Sequence, residues 1–241
     1  MQLAYYRYDQ HSVLFNNPVL REKLKHDVAG YSAKRILDVA TGTGNFGELF
    51  LGGGRTVYGL DVDQDRLKIA REKGLTPIVG DATRIASDLL FDLALCRQFY
   101  QYLQDFEILQ SLRSINGVLE PGSELILHHT TAPNPTQIQA INHLMAISGK
   151  FVRILDFALT QDFLEASGFK VIEYNMQVLP VIESKHGFKH LRRIGSDKDF
   201  HARIGDALRQ GYPVRYHEGN VEYDRAYLFV KARKVIECPH L

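Results

Sequence analysis

The chain has 241 residues, enough for one domain with a sizeable core, and its 29 basic and 28 acidic side chains leave a net charge of +1. That balance gives no overall electrostatic case for nucleic acid. No apolar run nears a membrane span, the start Met1–Arg7 lacks a signal core, and two distant cysteines, Cys96 and Cys238, suit a reducing cytoplasm.

Residues 1–34 hold Tyr5, Tyr6, Tyr8, Phe15 and Tyr31, too many aromatics for a free tail, and read as a helix packed on a sheet edge. Ile36–Ala40 is a short apolar, β-branched run, as in a strand buried on both faces. Gly42 and Gly44 then supply backbone freedom where a ligand comes close, and Asn45 is placed to cap a helix carrying Phe46, Leu49 and Phe50. Strand, glycine turn and helix make a nucleotide site of the doubly wound kind. Thr56–Asp61 is a second strand, and its terminal acid lies 61 − 42 = 19 residues past Gly42. An acid about 20 residues beyond the glycines is where a ribose-hydroxyl acceptor belongs. Asp63 caps a helix from Gln64 to Lys73, with Gly74 as its stop.

Pro77–Ala82 is a third strand running into Asp81, a second acid that suits a single adenosine with an exocyclic amine. The pattern departs from G-x-G-x-x-G, because Asp38 and Ala40 precede Gly42 and Gly44. Phe91–Cys96 is the fourth strand, Asp105 caps a helix with Ile108, Leu112 and Ile115 in period, and Pro121-Gly122 leads into a fifth strand, Glu124–His129. Such alternation predicts a parallel sheet with right-handed crossovers. The ligand then lies at the strands' carboxyl ends, where Gly42, Asp61, Asp81, Cys96 and His129 fall.

Beyond His129 the chain turns irregular, then 136–158 reads as a helix over the substrate side, Thr160 starts a short helix ending at Gly168, and Lys170–Val178 is a sixth strand. The stretch 180–220 has eight basic and five acidic residues, so it carries +3 of a chain whose total is +1. It is either a solvated helical face or a cap that draws in an anionic substrate. Its histidines lack metal-ligand pairing, so no metal site is expected.

The series Leu37-Asp38-Val39-Ala40-Thr41-Gly42-Thr43-Gly44, Gly59–Asp63 and Gly80-Asp81-Ala82 resembles the class I S-adenosylmethionine-dependent methyltransferases. Phe91–Gln98, Val118–Gly122 and Phe163–Phe169 continue the resemblance, which covers roughly 35–178. The Asp-Val-Ala-Thr-Gly-Thr-Gly variant looks most like the quinone-biosynthesis branch and its small-molecule relatives. The resemblance implies an α/β, Rossmann-like, doubly wound sheet of seven strands, mostly parallel, with the last strand, about Val221–Ala232, antiparallel beside the fifth. It implies a single methyltransferase domain: an N-terminal cap over 1–34, a core over 35–178 and 221–234, and an insertion over 180–220.

The implied cofactor is S-adenosyl-L-methionine. Asp61 would accept from its ribose with Val62 against the adenine, Asp81 and the Ala82 amide would hold the adenine edge, and Asp38 with the Ala40, Gly42 and Gly44 backbone would hold the methionine portion. Cys96 and Gln98 line the cofactor at the fourth strand, and Tyr8 closes over it as a lid. If the acceptor is a phenol or carbon acid, His129 would be the base, with a pKa of about 6.5. Cys96-Arg97-Gln98-Phe99 lacks the Asn or Asp, two prolines and aromatic of enzymes that methylate nucleic-acid bases, and the Asp of metal-dependent catechol methylation. Arg97 is either a surface residue or faces a substrate carboxylate.

The reading is therefore a cytoplasmic enzyme, with room for a homodimer and for an anionic substrate, acting on a small-molecule acceptor in biosynthesis, without nucleic acid or membrane. Two alternatives stay open. One is a non-methylating enzyme of the same fold, a pericyclase or decarboxylase. The other is a nucleic-acid or protein methyltransferase, supported only by the basic insertion.

Overall fold

The computed structural model describes residues 18, 21–22, 24–25, 30–147, 153–183, 205–217 and 220–236. Tyr8, most of the expected N-terminal cap and residues 184–204 of the expected insertion lie outside the described residues.

The sheet runs in the order β3-β2-β1-β4-β5-β8-β6. Its parallel half comprises β1 (Arg35–Val39), β2 (Thr56–Asp61), β3 (Thr76–Val79), β4 (Phe91–Arg97) and β5 (Leu119–Thr131). β8 (Asn220–Lys234) inserts antiparallel between β5 and β6 (Phe169–Glu183), as the resemblance implied. β7 (Arg215–His217), not foreseen, pairs with β8 where β5 has already ended. The helices include α1 (Gln64–Glu72), α2 (Asp105–Val118), α3 (Pro135–Ile147) and α4 (Phe157–Glu165), and residues 205–209 are helical as well. No helix among the described residues is long and apolar enough to cross a membrane.

Apolar residues cover both faces of the sheet, which is why the central strands carry so little polar sequence. On one face Leu37, Val39, Leu125 and Leu127 pack with Ile108 and Leu112 of α2 and Leu164 of α4. On the other, Ile36, Leu93, Leu95 and Ile126 pack with Phe46, Phe50 and Ala70. A separate cluster joins Ala140 and Ile141 of α3, Ile154, Tyr223 of β8, and Ala207, Leu208 and Tyr212. The described part of the expected insertion thus packs on α3.

Several local expectations change. Asn45 caps no helix: Gly47–Phe50 is a single 3-10 turn behind Phe46, and the Asn45 side chain instead accepts from Lys73 Nζ. α2 is preceded by Gln104, whose N–H donates to Glu107 Oε2 at 2.8 Å, so Asp105 is its first residue rather than its cap. α4 begins earlier than Thr160, because Asp156 Oδ1 accepts the Leu159 N–H at 2.7 Å. β6 continues past Val178 through Pro180. β6 ends the strand order of the sheet, and proline is tolerated in such an outer strand, where a missing N–H breaks no ladder.

Candidate active site

The turn after β1 is built from left-handed residues. Ala40 has φ 52°, Gly42 56° and Gly44 81°. Ala40 takes this conformation with a Cβ present, a cost that clusters at functional turns. Asp38, 1% exposed, lies beneath the turn, and its Oδ2 accepts from the Thr41 hydroxyl and from the Gly47 N–H at 3.1 Å. Burial pushes its pKa up to about 7, against the lowering by Thr41, Gly47 and the Arg97 charge. A Cβ on Gly47 would lie 2.7 Å from Asp38 Oδ2 and 2.8 Å from Leu75, and one on Gly44 3.1 Å from Ala70. The turn therefore fits closely onto β1 and α1.

Asp61 closes the turn from the second strand. It is 8% exposed; Oδ2 accepts the Gly42 N–H at 2.8 Å and Oδ1 the Asp63 N–H at 2.9 Å. With four lone-pair sites, a carboxylate fixed by two backbone donors can still accept from a ligand. Beside it, Val62 is 69% exposed, a large apolar side chain left open at the end of β2. Asp81 follows β3, where Oδ1 accepts both the Thr83 N–H and hydroxyl at 2.8 Å. Those bonds hold its carboxyl below the usual range. Ala82 is buried in the core.

At the ends of β4 and β5 the expected residues separate. Cys96 is buried in the apolar cluster with Tyr100, and burial pushes its thiol well up. Its side chain belongs to the core. Gln98 has a left-handed φ of 52°, donates its N–H to His128 O at 2.9 Å, and accepts from the Thr130 hydroxyl at 3.1 Å.

His128 and His129 point to opposite faces, and it is His128, not the expected His129, that lies on the face of the glycine turn. His129, 3% exposed, lies under α4 with Nε2 3.4 Å from Thr160 Oγ1, whose hydroxyl donates to Asp156 O at 2.6 Å. Burial lowers its pKa to about 4, far from the ordinary imidazole value expected. His128, 2% exposed, is on the face of the glycine turn, stacked 5.8 Å from Tyr227 and 6.1 Å from Phe46. Neither of its ring nitrogens has a hydrogen-bond partner among the described residues.

Residues 36–122 match the methyltransferase-domain family. The chain carries a class I S-adenosylmethionine-dependent methyltransferase domain. It is 28% identical over 112 residues to an uncharacterised methyltransferase of Bacillus cytotoxicus, covering 45% of this chain and 53% of that protein. The chain thus spans about half the length of that curated relative. The chain also has the fold of the crystal structure of a methyltransferase candidate from Bacillus halodurans, with TM-score 0.72, 22% identity, and coverage of 89% and 98% of the two chains. The YcgJ protein of Bacillus subtilis aligns with TM-score 0.70 and 18% identity over 90% and 99% of the two chains.

The cofactor of this methyltransferase family is S-adenosylmethionine, and the site has features that fit it. Asp61 ends β2 and Asp81 follows the adjacent β3, both with oxygen lone pairs remaining, and Val62, next to Asp61, is exposed. Among the described residues no group of three or more His, Cys, Asp or Glu is placed to hold a metal. Sequence reasoning missed Thr41 and Gly47 as partners of Asp38, and it passed over His128. Nothing local marks Gly47, since its close neighbours Asp38 and Leu75 are distant in sequence.

Proposed function

We propose that the protein transfers a methyl group from S-adenosylmethionine to a small-molecule acceptor in a biosynthetic pathway. The observation that carries this reading is Asp61, held by the Gly42 and Asp63 N–H groups with Val62 exposed beside it. When bound, the sulfonium supplies a methyl group already activated for transfer. The chain's task is then to bind, orient and exclude water rather than to create an electrophile. In this reading Asp61 accepts from the ribose, Val62 covers the adenine, and Asp81 and Ala82 take its edge. Asp38 and the Ala40–Gly44 backbone hold the methionine portion, with the Cys96 backbone and Gln98 alongside. The lid role of Tyr8 belongs to the same proposal.

The acceptor enters from the side of β4, β5 and α3. The near-neutral charge of the chain favours a small molecule over nucleic acid. His129 is given no proton transfer, because a buried imidazole with a pKa of about 4 that faces Thr160 is a poor base for a neutral phenol.

Calorimetry with S-adenosylmethionine on Asp61→Ala tests the cofactor half. A charged hydrogen bond is worth roughly 1.5–3 kcal/mol, so affinity should fall about 10- to 100-fold with the fold retained. Unchanged affinity would remove Asp61 from the site. Release of S-adenosylhomocysteine with a panel of small acceptors tests the transfer itself, and its absence during turnover would favour a non-methylating enzyme.

A further inference from the structure

We propose that Arg97 and His128 form the subsite that takes a carboxylate of the methyl acceptor, a proposal that rests on the methyl-transfer reading above. Position comes first. In the order β3-β2-β1-β4-β5-β8, the ligand acids follow β3 and end β2, and the glycine turn follows β1. An adenosine-bearing ligand laid over those three strands leaves the ends of β4, β5 and β8 for its reaction partner. Arg97 of β4 is the direct cross-strand neighbour of His128 of β5, and Tyr227 of β8 stacks on the His128 ring at 5.8 Å. Phe46, from the glycine turn, is 6.1 Å away on the same face. The imidazole therefore sits between the turn and the far half of the sheet.

Chemistry comes second. His128 is buried with both ring nitrogens unpartnered among the described residues. Buried polar groups are nearly always hydrogen-bonded, so an orphan of this kind points to something that binds there. The site cannot relieve itself by charging: burial, the Arg97 guanidinium and His129 all push the His128 pKa well down. A neutral imidazole offers one N–H donor and one acceptor nitrogen, and Arg97 contributes a permanent positive charge. A carboxylate suits both, accepting from the imidazole N–H and lying in the favourable field of the Arg97 charge. It arrives ionised, since carboxyl groups titrate near about 4, whereas a phenol, near about 10, would arrive protonated and need a base that this imidazole is not. The same guanidinium also acts on buried Asp38 under the turn, which places the subsite beside the cofactor's methionine portion rather than remote from it.

The test uses the full chain with 15N-labelled histidine, saturated with S-adenosylhomocysteine, and benzoate and acetate as probes with benzamide as the uncharged control. The carboxylates should shift the ring nitrogens of His128 and leave those of His129 in place, and benzamide should do neither. His128→Phe keeps the stacking on Tyr227 and removes the nitrogens; Arg97→Gln removes the charge. Each should weaken benzoate binding about tenfold or more while S-adenosylhomocysteine affinity changes less than about twofold. Thermal melts identify a variant that fails to fold, and the wild-type nitrogen shifts then decide alone. Unshifted His128 nitrogens, or wild-type benzoate binding in both folded variants, would overturn the proposal. Loss of S-adenosylhomocysteine affinity in step with benzoate would overturn it too, assigning the pair to the cofactor's own carboxylate. A wild type that binds no S-adenosylhomocysteine refutes the cofactor reading instead, and benzoate titrated without it still reads the subsite.

Discussion

Asp38 lies under the glycine turn with Thr41 and Gly47 donating to the same oxygen, so it braces the turn. Burial lifts its pKa from 3.8 to about 7. The sign follows from proton counting: between those values the folded chain binds more protons than the unfolded one, so stability falls as pH rises. The contribution is fully present below pH 3.8 and lost by about pH 7, a span worth up to roughly 4 kcal/mol at 1.36 kcal/mol per unit. Asp38→Asn keeps an accepting oxygen without the charge. It should unfold at higher urea than wild type at pH 8 and show a flatter slope between pH 4 and 7. A slope identical to wild type would mean that Asp38 stays ionised in the fold. Asp61 was legible because its spacing from Gly42 is itself a chemical rule. The bracing role of Asp38 was not, because Thr41 and Gly47 become its partners only when the turn is folded.

The strands and helices of the core were legible where one force decided them. Asp63 caps α1 as expected, accepting from Asp65 and Arg66 N–H, because a short acid before an amphipathic run has few other uses. The far side was less legible because its partners are remote. β5 ends at Thr131 opposite Ala226, leaving β8 to run on beside β6 and to pair with β7 across the vacated edge. No periodicity within 205–217 reveals that its apolar residues belong to α3. Leu208 is fully buried there, among Ala140, Ile141 and Tyr223. Leu208→Ala should cost about 2–5 kcal/mol of the local packing, read as faster hydrogen exchange in α3 and in 205–217. Cofactor affinity should stay near wild type while acceptor KM rises. A drop in cofactor affinity with no change in acceptor KM would place this cluster on the wrong side of the molecule.

Across the whole molecule, the buried acid of β1 and the buried imidazoles of β5 respond to acid with opposite sign. His129 has a folded pKa of about 4 against an ordinary 6.5, and His128 is also lowered well below that value. Groups lowered in this way contribute stability above about pH 6.5 and lose it as pH falls through the folded value, since the unfolded chain then binds the extra protons. Asp38 works the other way over 3.8 to 7, gaining as pH falls. Two buried neutral imidazoles against one buried acid leave a net loss, so the fold should weaken as pH falls from 6.5 to 4. The same burial that keeps His128 neutral in the proposed subsite thus sets an acid limit on the protein. His129→Asn isolates one contribution, since its ring lies on the α4 face, away from the glycine turn. The span from 6.5 to about 4 is worth about 3 kcal/mol at 1.36 kcal/mol per unit, so the variant should lose roughly that much less than wild type over this window. Urea unfolding at intervals from pH 4 to 8 measures the difference. Parallel curves for variant and wild type would mean that His129 is already protonated in the fold, and its contact with Thr160 would then have to be one between an imidazolium and an acceptor oxygen.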